Sequence, residues 1–208
     1  MKKQTAIPSA APHVLACEIC ILAGGASSRM GRHKAALRLG GRTLLGHVRA
    51  VAKRLGLPVR VIRRDLIPGC GPLGGIHTAL TTSRAARSLF LSCDMPFVSE
   101  VLLNRVLRRF SAGSRAVFVR EKHGVGFPFL LPRDCLPLIV RQLDKKQFSL
   151  QSLARTLRAK TLRPARGQAQ ELFNVNTPAE WQQALVIWRA QRKHDLSLSG
   201  GAGIVLSC

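Results

Sequence analysis

The segment from Glu18 to Lys34 joins the apolar-leaning run Glu-Ile-Cys-Ile-Leu to a loop that carries Gly24, Gly25 and Gly31 together with Arg29, Arg32, His33 and Lys34. The run has the length of a buried strand, and glycines placed directly after it let the backbone turn tightly and approach a ligand with no Cβ in the way. N–H groups exposed in such a loop can face phosphate oxygens. Arg29 adds a planar multi-donor fork and Lys34 a mobile point charge, the two cation types that phosphate binding uses. The spacing fits neither a Walker loop nor a dinucleotide fingerprint. After a short connection over 37–41, Thr43 caps a helix whose apolar positions 44, 45, 48, 51, 52 and 55 keep helical spacing until Gly56 stops it. A strand, a cationic glycine loop and a helix therefore open the chain's ordered part.

The same alternation continues. A second strand is predicted over 58–62, and the turn-rich segment 65–75 leads to a helix with Leu73, Ile76 and Leu80 on one face. A third strand over 88–93 ends at Asp94-Met95-Pro96, and Ser99 caps a helix carrying Leu102, Leu103, Val106, Leu107 and Phe110. Further strands are predicted over 115–120, 127–131 and 159–162, with helices over 136–143 and 150–157. Thr177-Pro178-Ala179-Glu180 is a capping box that opens a last helix to about Lys193. Strands alternating with helices predict an α/β fold: a three-layer, Rossmann-like arrangement with a mostly parallel sheet and helices on both faces. Ligands of such sheets bind outside the carboxyl ends of the strands. The expected organisation is a disordered lead-in over 1–17, a single domain over 18–194 and a mobile tail over 195–208.

Composition narrows the ligand class. With 208 residues and 46% apolar content, the chain is long enough for one ordinary core. Its formal net charge of +23 favours polyanions or phosphorylated small molecules. The basic pairs Lys2-Lys3, Lys53-Arg54, Arg63-Arg64, Arg108-Arg109 and Lys145-Lys146 are scattered over several elements, and aromatics make up 5% with no Tyr. Both features argue against a nucleic-acid stripe or stacking platform. No stretch approaches the roughly 18 apolar residues of a membrane span. The six cysteines form no recurring pattern, which fits a reduced, cytoplasmic setting. Cys17 and Cys20 have an odd spacing on a strand and so face opposite ways, which weakens them as a metal pair.

Four segments carry chemistry. Leu22, Ala23, Gly24 and Gly25, with Arg29 and Lys34, form the phosphate loop. Asp94 ends a buried strand beside that loop, where a carboxylate is placed to hold Mg²⁺; a turn aspartate before Pro96 is the alternative. Gly71-Pro72-Leu73-Gly74-Gly75 suits either a loop against a nucleotide or a plain tight turn, with Asp65 upstream. In Phe173-Asn174-Val175-Asn176-Thr177-Pro178, the two amides either satisfy backbone groups or line a site. Phe127-Pro128-Phe129 reads as core.

The loop Leu22-Ala-Gly-Gly-x-Ser-x-Arg-Met-Gly-x-x-Lys34 resembles the signature of the molybdenum cofactor guanylyltransferases. Gly-Pro-Leu-Gly-Gly, Cys-Asp-Met-Pro and Asn-Val-Asn-Thr-Pro follow in that family's order, so the resemblance runs from about Ile19 to Trp181. It implies nucleotide binding by Leu22, Ala23, Gly24, Gly25, Lys34, Asp65, Gly71, Gly74 and Asp94. It also implies catalysis by Arg29, Lys34 and Asp94, Mg²⁺ on Asp94, and an acceptor side at Asn174 and Asn176. The implied partners are GTP, molybdopterin, and a molybdoenzyme or its chaperone. In the implied reaction, the pterin's terminal phosphate attacks the α-phosphorus of GTP in line and expels pyrophosphate. That nucleophile is already an anion, so no general base is needed. The difficulty is like charge: two unit charges at 4 Å cost about 4 kcal/mol at an effective dielectric near 20, which gives the loop cations and a metal their task. One departure stands out. Segment 57–70 holds one predicted strand where the family usually has two, the first ending in an Asn near the base, so guanine over cytosine stays open, with Arg63 or Arg64 as substitutes. The rival readings are a cytidylyltransferase of the same cofactor, a sugar-phosphate nucleotidyltransferase, and a non-catalytic basic nucleotide-binding accessory protein.

Overall fold

The computed structural model describes residues 16–24, 37–111, 114–165 and 167–200, with side chains up to 193. Its centre is β1 (Glu18–Leu22), buried at every position. Ile19 and Ile21 face one core while Cys20 and Leu22 face the other, so a strand covered on both sides reads as a continuous apolar run. β1 lies between β4 (Val59–Ile62) and β5 (Arg87–Ser92), parallel to both. The six-stranded order is β4-β1-β5-β7-β6-β8, completed by β6 (Val117–Glu121), β7 (Gly124–Pro132) and β8 (Lys160–Leu162). β7 pairs antiparallel with both β5 and β6, while β6 and β8 are parallel. The sheet is thus mostly parallel, with β7 alone reversed. The sequence reading separated the fourth and fifth strands; here they form a hairpin turning at Lys122 and His123.

Helices cover both faces, as the alternation requires. α1 (Leu44–Arg54) and α3 (Glu100–Arg109) bury Leu45, Val48, Leu102 and Val106 on one side. α2 (Gly71–Thr81), α4 (Leu136–Asp144) and α5 (Leu150–Thr156) bury Leu73, Ile76, Ile139 and Leu153 on the other, against Phe90, Phe118 and Phe129. Phe129 stacks with both other rings at 5.1 and 4.7 Å, so Phe127-Pro128-Phe129 belongs mainly to the core. The expected caps form: Thr43 Oγ1 accepts from the Gly46 N–H and Ser99 Oγ from the Leu102 N–H.

Three local expectations change. The 37–41 connection is a small ribbon of β2 (Arg38–Leu39) and β3 (Arg42–Thr43). Gly71 to Gly75 is the opening of α2 and not a loop before it, because Pro72 in the first turn loses no intrahelical bond and brings a helical φ. α6 (Pro178–Gly200) runs past Lys193. It packs Ala184 and Trp188 against Leu39 of the ribbon and Leu44 at the start of α1. No helix among the described residues is long and apolar enough to cross a membrane.

Candidate active site at the carboxyl edge of the sheet

The ladder of β1 continues one step past its strands. Ala23 N–H donates to Ile62 O at 2.8 Å, and Cys93 N–H donates to Leu22 O at 3.1 Å. Leu22-Ala23-Gly24, Arg63 and Cys93-Asp94 therefore leave the sheet side by side. Gly24 must be small: a Cβ there would lie 3.1 Å from Arg63 O and 3.3 Å from Asp65 Oδ1. Gly25, Arg29, Gly31, Arg32, His33 and Lys34 lie outside the described residues.

Asp65 is brought against this edge by a tight bend after β4. A Cβ at Gly74 would fall 2.8 Å from Asp65 Oδ2 and 2.8 Å from Ile67 O, and one at Gly75 would fall 3.4 Å from Asp65 Oδ1. The two glycines thus give the carboxylate its seat on the first turns of α2. Leu66 N–H donates to Thr78 Oγ1 at 2.8 Å and pins the bend to that helix. Gly71 opens α2 with a φ of +55°, a backbone that favours glycine. Burial pushes the Asp65 carboxyl above its ordinary pKa, with no cation or donor among the described residues to offset it. One strand alone occupies 57–70 between α1 and α2, so the shortened segment is real in the fold. Arg63 and Arg64 are exposed at its end.

Asp94 is held from two sides. Ser92 Oγ donates to its Oδ1 at 2.6 Å, and its carbonyl accepts from Val175 N–H at 2.9 Å. The second bond joins the Asp94 turn to the segment bearing both asparagines. Asn174 Nδ2 donates to Leu172 O at 3.1 Å. The capping box fixes the next residues: Asn176 and Thr177 N–H donate to Glu180 Oε2 at 2.7 and 2.8 Å, and Glu180 N–H donates to Thr177 Oγ1 at 3.2 Å. Asn174 and Asn176 then line a cleft of about 1090 Å³ whose opposite wall is the β6–β7 hairpin, with Arg120, Glu121 and Lys122, and whose flank is Arg163 after β8. This cleft wall and Ser92 were missed in the sequence. The charged turn Glu121-Lys122-His123-Gly124 was a signal only once 115–131 was seen as a hairpin.

Cys17, Cys20 and Cys135 are poor candidates for chemistry at this site. Cys17 and Cys20 pack into opposite cores. Burial raises the pKa of both thiols and pushes Cys135 up to about 12, so all three stay protonated and weakly nucleophilic. His77 is half-buried on α2.

The model of the MobA-like NTP transferase domain matches residues 19–161, a span that contains the glycine loop, Asp65, α2 and Asp94. The chain belongs to this family. Among relatives, a probable molybdenum cofactor guanylyltransferase of Pelotomaculum thermopropionicum is 32% identical over 187 residues, covering 80% of this chain and 91% of that protein. The molybdenum cofactor guanylyltransferase of Xanthomonas euvesicatoria is 28% identical over 180 residues, covering 79% and 92%. The fold matches the crystal structure of molybdopterin-guanine dinucleotide biosynthesis protein A from Archaeoglobus fulgidus, with a TM-score of 0.62, 20% identity and coverage of 82% and 97%. In this MobA-like transferase, the matched domain ends at Thr161, so Asn174, Asn176 and α6 lie beyond it and form the cleft's far wall.

Proposed function

We propose that this MobA-like transferase moves GMP from GTP onto molybdopterin, forming the guanine dinucleotide form of the cofactor and releasing pyrophosphate. The observation that carries the reading is the convergence of Gly24, Asp65 and Asp94 at adjacent strand ends, with Asp94 bonded through Val175 to a second, cation-rimmed cleft. Two sites joined through the Asp94 turn suit a reaction that joins two phosphorylated substrates. The chain's relatives, molybdenum cofactor guanylyltransferases by name, favour guanine and the molybdenum cofactor.

In this reading Gly24, Gly25 and the first turns of α2 cradle the nucleotide, Asp65 accepts hydrogen bonds from it, and Arg29 and Lys34 offset charge on the α and leaving phosphates. Asn174 and Asn176 hold the acceptor so that its phosphate oxygen reaches the α-phosphorus in line. The donor set suits Mg²⁺: Ser92 Oγ fixes the Asp94 carboxylate through Oδ1 at 2.6 Å, and Mg²⁺ is ordinarily held by one or two carboxylates plus substrate phosphates. Asp94 would hold the ion, which when bound neutralises phosphate charge and orients the reacting groups. A cytoplasmic setting and delivery of the product to a molybdoenzyme or its chaperone complete the proposal.

The test mixes purified protein, Mg²⁺ and molybdopterin with GTP or CTP and measures pyrophosphate. Release with GTP and little with CTP is the expected result. Release with CTP alone would reassign the base, and no release with either, together with salt-sensitive DNA binding, would favour the accessory-protein reading.

A further inference from the structure

Glu121 ends β6 at the mouth of the acceptor cleft. In the ladder it is paired with Gly124, and Val119 with Gly126, on one face of the hairpin. The Glu121 side chain folds back along that face and occupies the space a side chain at position 126 would need: any Cβ on Gly126 would overlap Glu121 Oε1. The hairpin thus leaves out a side chain where the carboxylate sits. The carboxylate is half-buried, and burial perturbs it with no cation or donor among the described residues answering its charge. Arg120, Lys122 and Arg163 line the same cleft, yet none pairs with it among the described residues. A carboxylate that has lost part of its hydration and taken no protein partner is an acceptor left open to a ligand.

We propose that Glu121 is the specificity-determining residue for the acceptor's ring, its two oxygens taking the two parallel N–H donors of a 2-amino-4-oxopyrimidine edge. This rests on the molybdopterin reading above, since a pterin carries that edge. The match is geometric: two syn oxygens on one carbon meet a ring N–H and an exocyclic amine as they would meet a guanidinium fork. The division of labour follows, with Glu121 reading the ring while Arg120, Lys122 and Arg163 supply positive potential for the phosphate end.

The experiment is steady-state transfer by the full chain and by Glu121→Gln and Gly126→Ala. The first variant turns one acceptor oxygen into a donor; the second keeps the charge but displaces it. Both should raise the acceptor KM about tenfold, the cost of one mismatched buried hydrogen bond, while kcat and the GTP KM stay within about twofold. A second measurement uses the unaltered protein with GTP and Mg²⁺ present: pterin should compete with molybdopterin about tenfold better than lumazine, whose C2 carbonyl replaces the amine. Glu121→Gln should erase that preference. If wild-type transfer is intact but pterin and lumazine compete equally, or the acceptor KM is unchanged in a folded Glu121→Gln, the role of Glu121 is overturned and the reaction stands. If wild-type protein transfers nothing from GTP to molybdopterin, the reaction fails and this inference falls with it. Should Glu121→Gln not fold, the pterin and lumazine comparison on the wild type decides.

Discussion

Glu18 and Glu121 stand at opposite ends of the same sheet and their charges are treated in opposite ways. Glu18, at the amino end of β1, is 3% exposed and fully answered. Arg60 Nη1 donates to both its oxygens at 3.1 and 3.3 Å, Ser88 Oγ donates at 3.2 Å and Cys20 Sγ at 3.4 Å. Arg60 in turn donates to Ala79 O and Thr82 Oγ1, which ties β1, β4, β5 and α2 together. At the carboxyl edge, Asp65 and Glu121 are half-buried, and burial is unopposed at both. The charge of Glu18 at the amino edge is satisfied and structural, whereas the charges of Asp65 and Glu121 at the carboxyl edge have no partner among the described residues, at the edge where α/β sheets bind their ligands.

That contrast can be broken by substitution. Asp94→Ala should have the largest effect, lowering transfer by about 10²–10³-fold, the scale of losing one well-placed electrostatic contact to the reacting phosphates. Nucleotide binding measured by calorimetry in EDTA should persist, and retained transfer would remove Asp94 from the metal's site. Arg60→Ala should come next in size and differ in kind. It strands the buried Glu18 charge, so urea unfolding should show a loss of about 3 kcal/mol, less than a fully buried pair because Arg60 is partly exposed. The GTP KM should not move; a large shift would mean that the amino edge is not purely structural.

Gly74→Ala probes the seat of Asp65. Its Cβ would meet the carboxylate and Ile67 O at 2.8 Å each, so the 65–67 bend must shift. Nucleotide affinity should fall about tenfold with a stability loss of about 1–2 kcal/mol. The smallest effects are the most diagnostic of the contrast. Asp65→Asn and Glu121→Gln should leave stability unchanged or raise it by less than about 0.5 kcal/mol, the opposite sign to Arg60→Ala. Both carboxyls have folded pKa values raised above their unfolded ones. Each therefore contributes most to stability when protonated, and that increment is lost as pH rises through the folded values. Unfolding of either variant followed against pH should lack that part of the decline.

Much of the carboxyl edge was legible from local signals. The apolar run 18–22, the caps at Thr43, Ser99 and Thr177, and Asp94 before Pro96 all depend on neighbours a few residues apart, and the structure places each where that spacing requires. Asp65 was singled out on resemblance, and the packing of Gly24, Gly74 and Gly75 around it supplies the physical reason. The Gly71–Gly75 stretch misled, because glycines that look like a loop are there to clear space for a carboxylate within a helix.

Sequence by itself determined the strand and helix units, the mostly parallel sheet they build, and the glycine-rich, cationic make-up of the first loop. Those rest on periodicity, capping and backbone freedom, which act within one element. Only the tertiary structure decided that β7 runs against its neighbours, that Val175 bonds Asp94 to the asparagine segment, and that Glu18 has partners while Glu121 has none among the described residues. These depend on which distant residues share a face, and a carboxylate's partners belong to the packing around it and not to the residue itself.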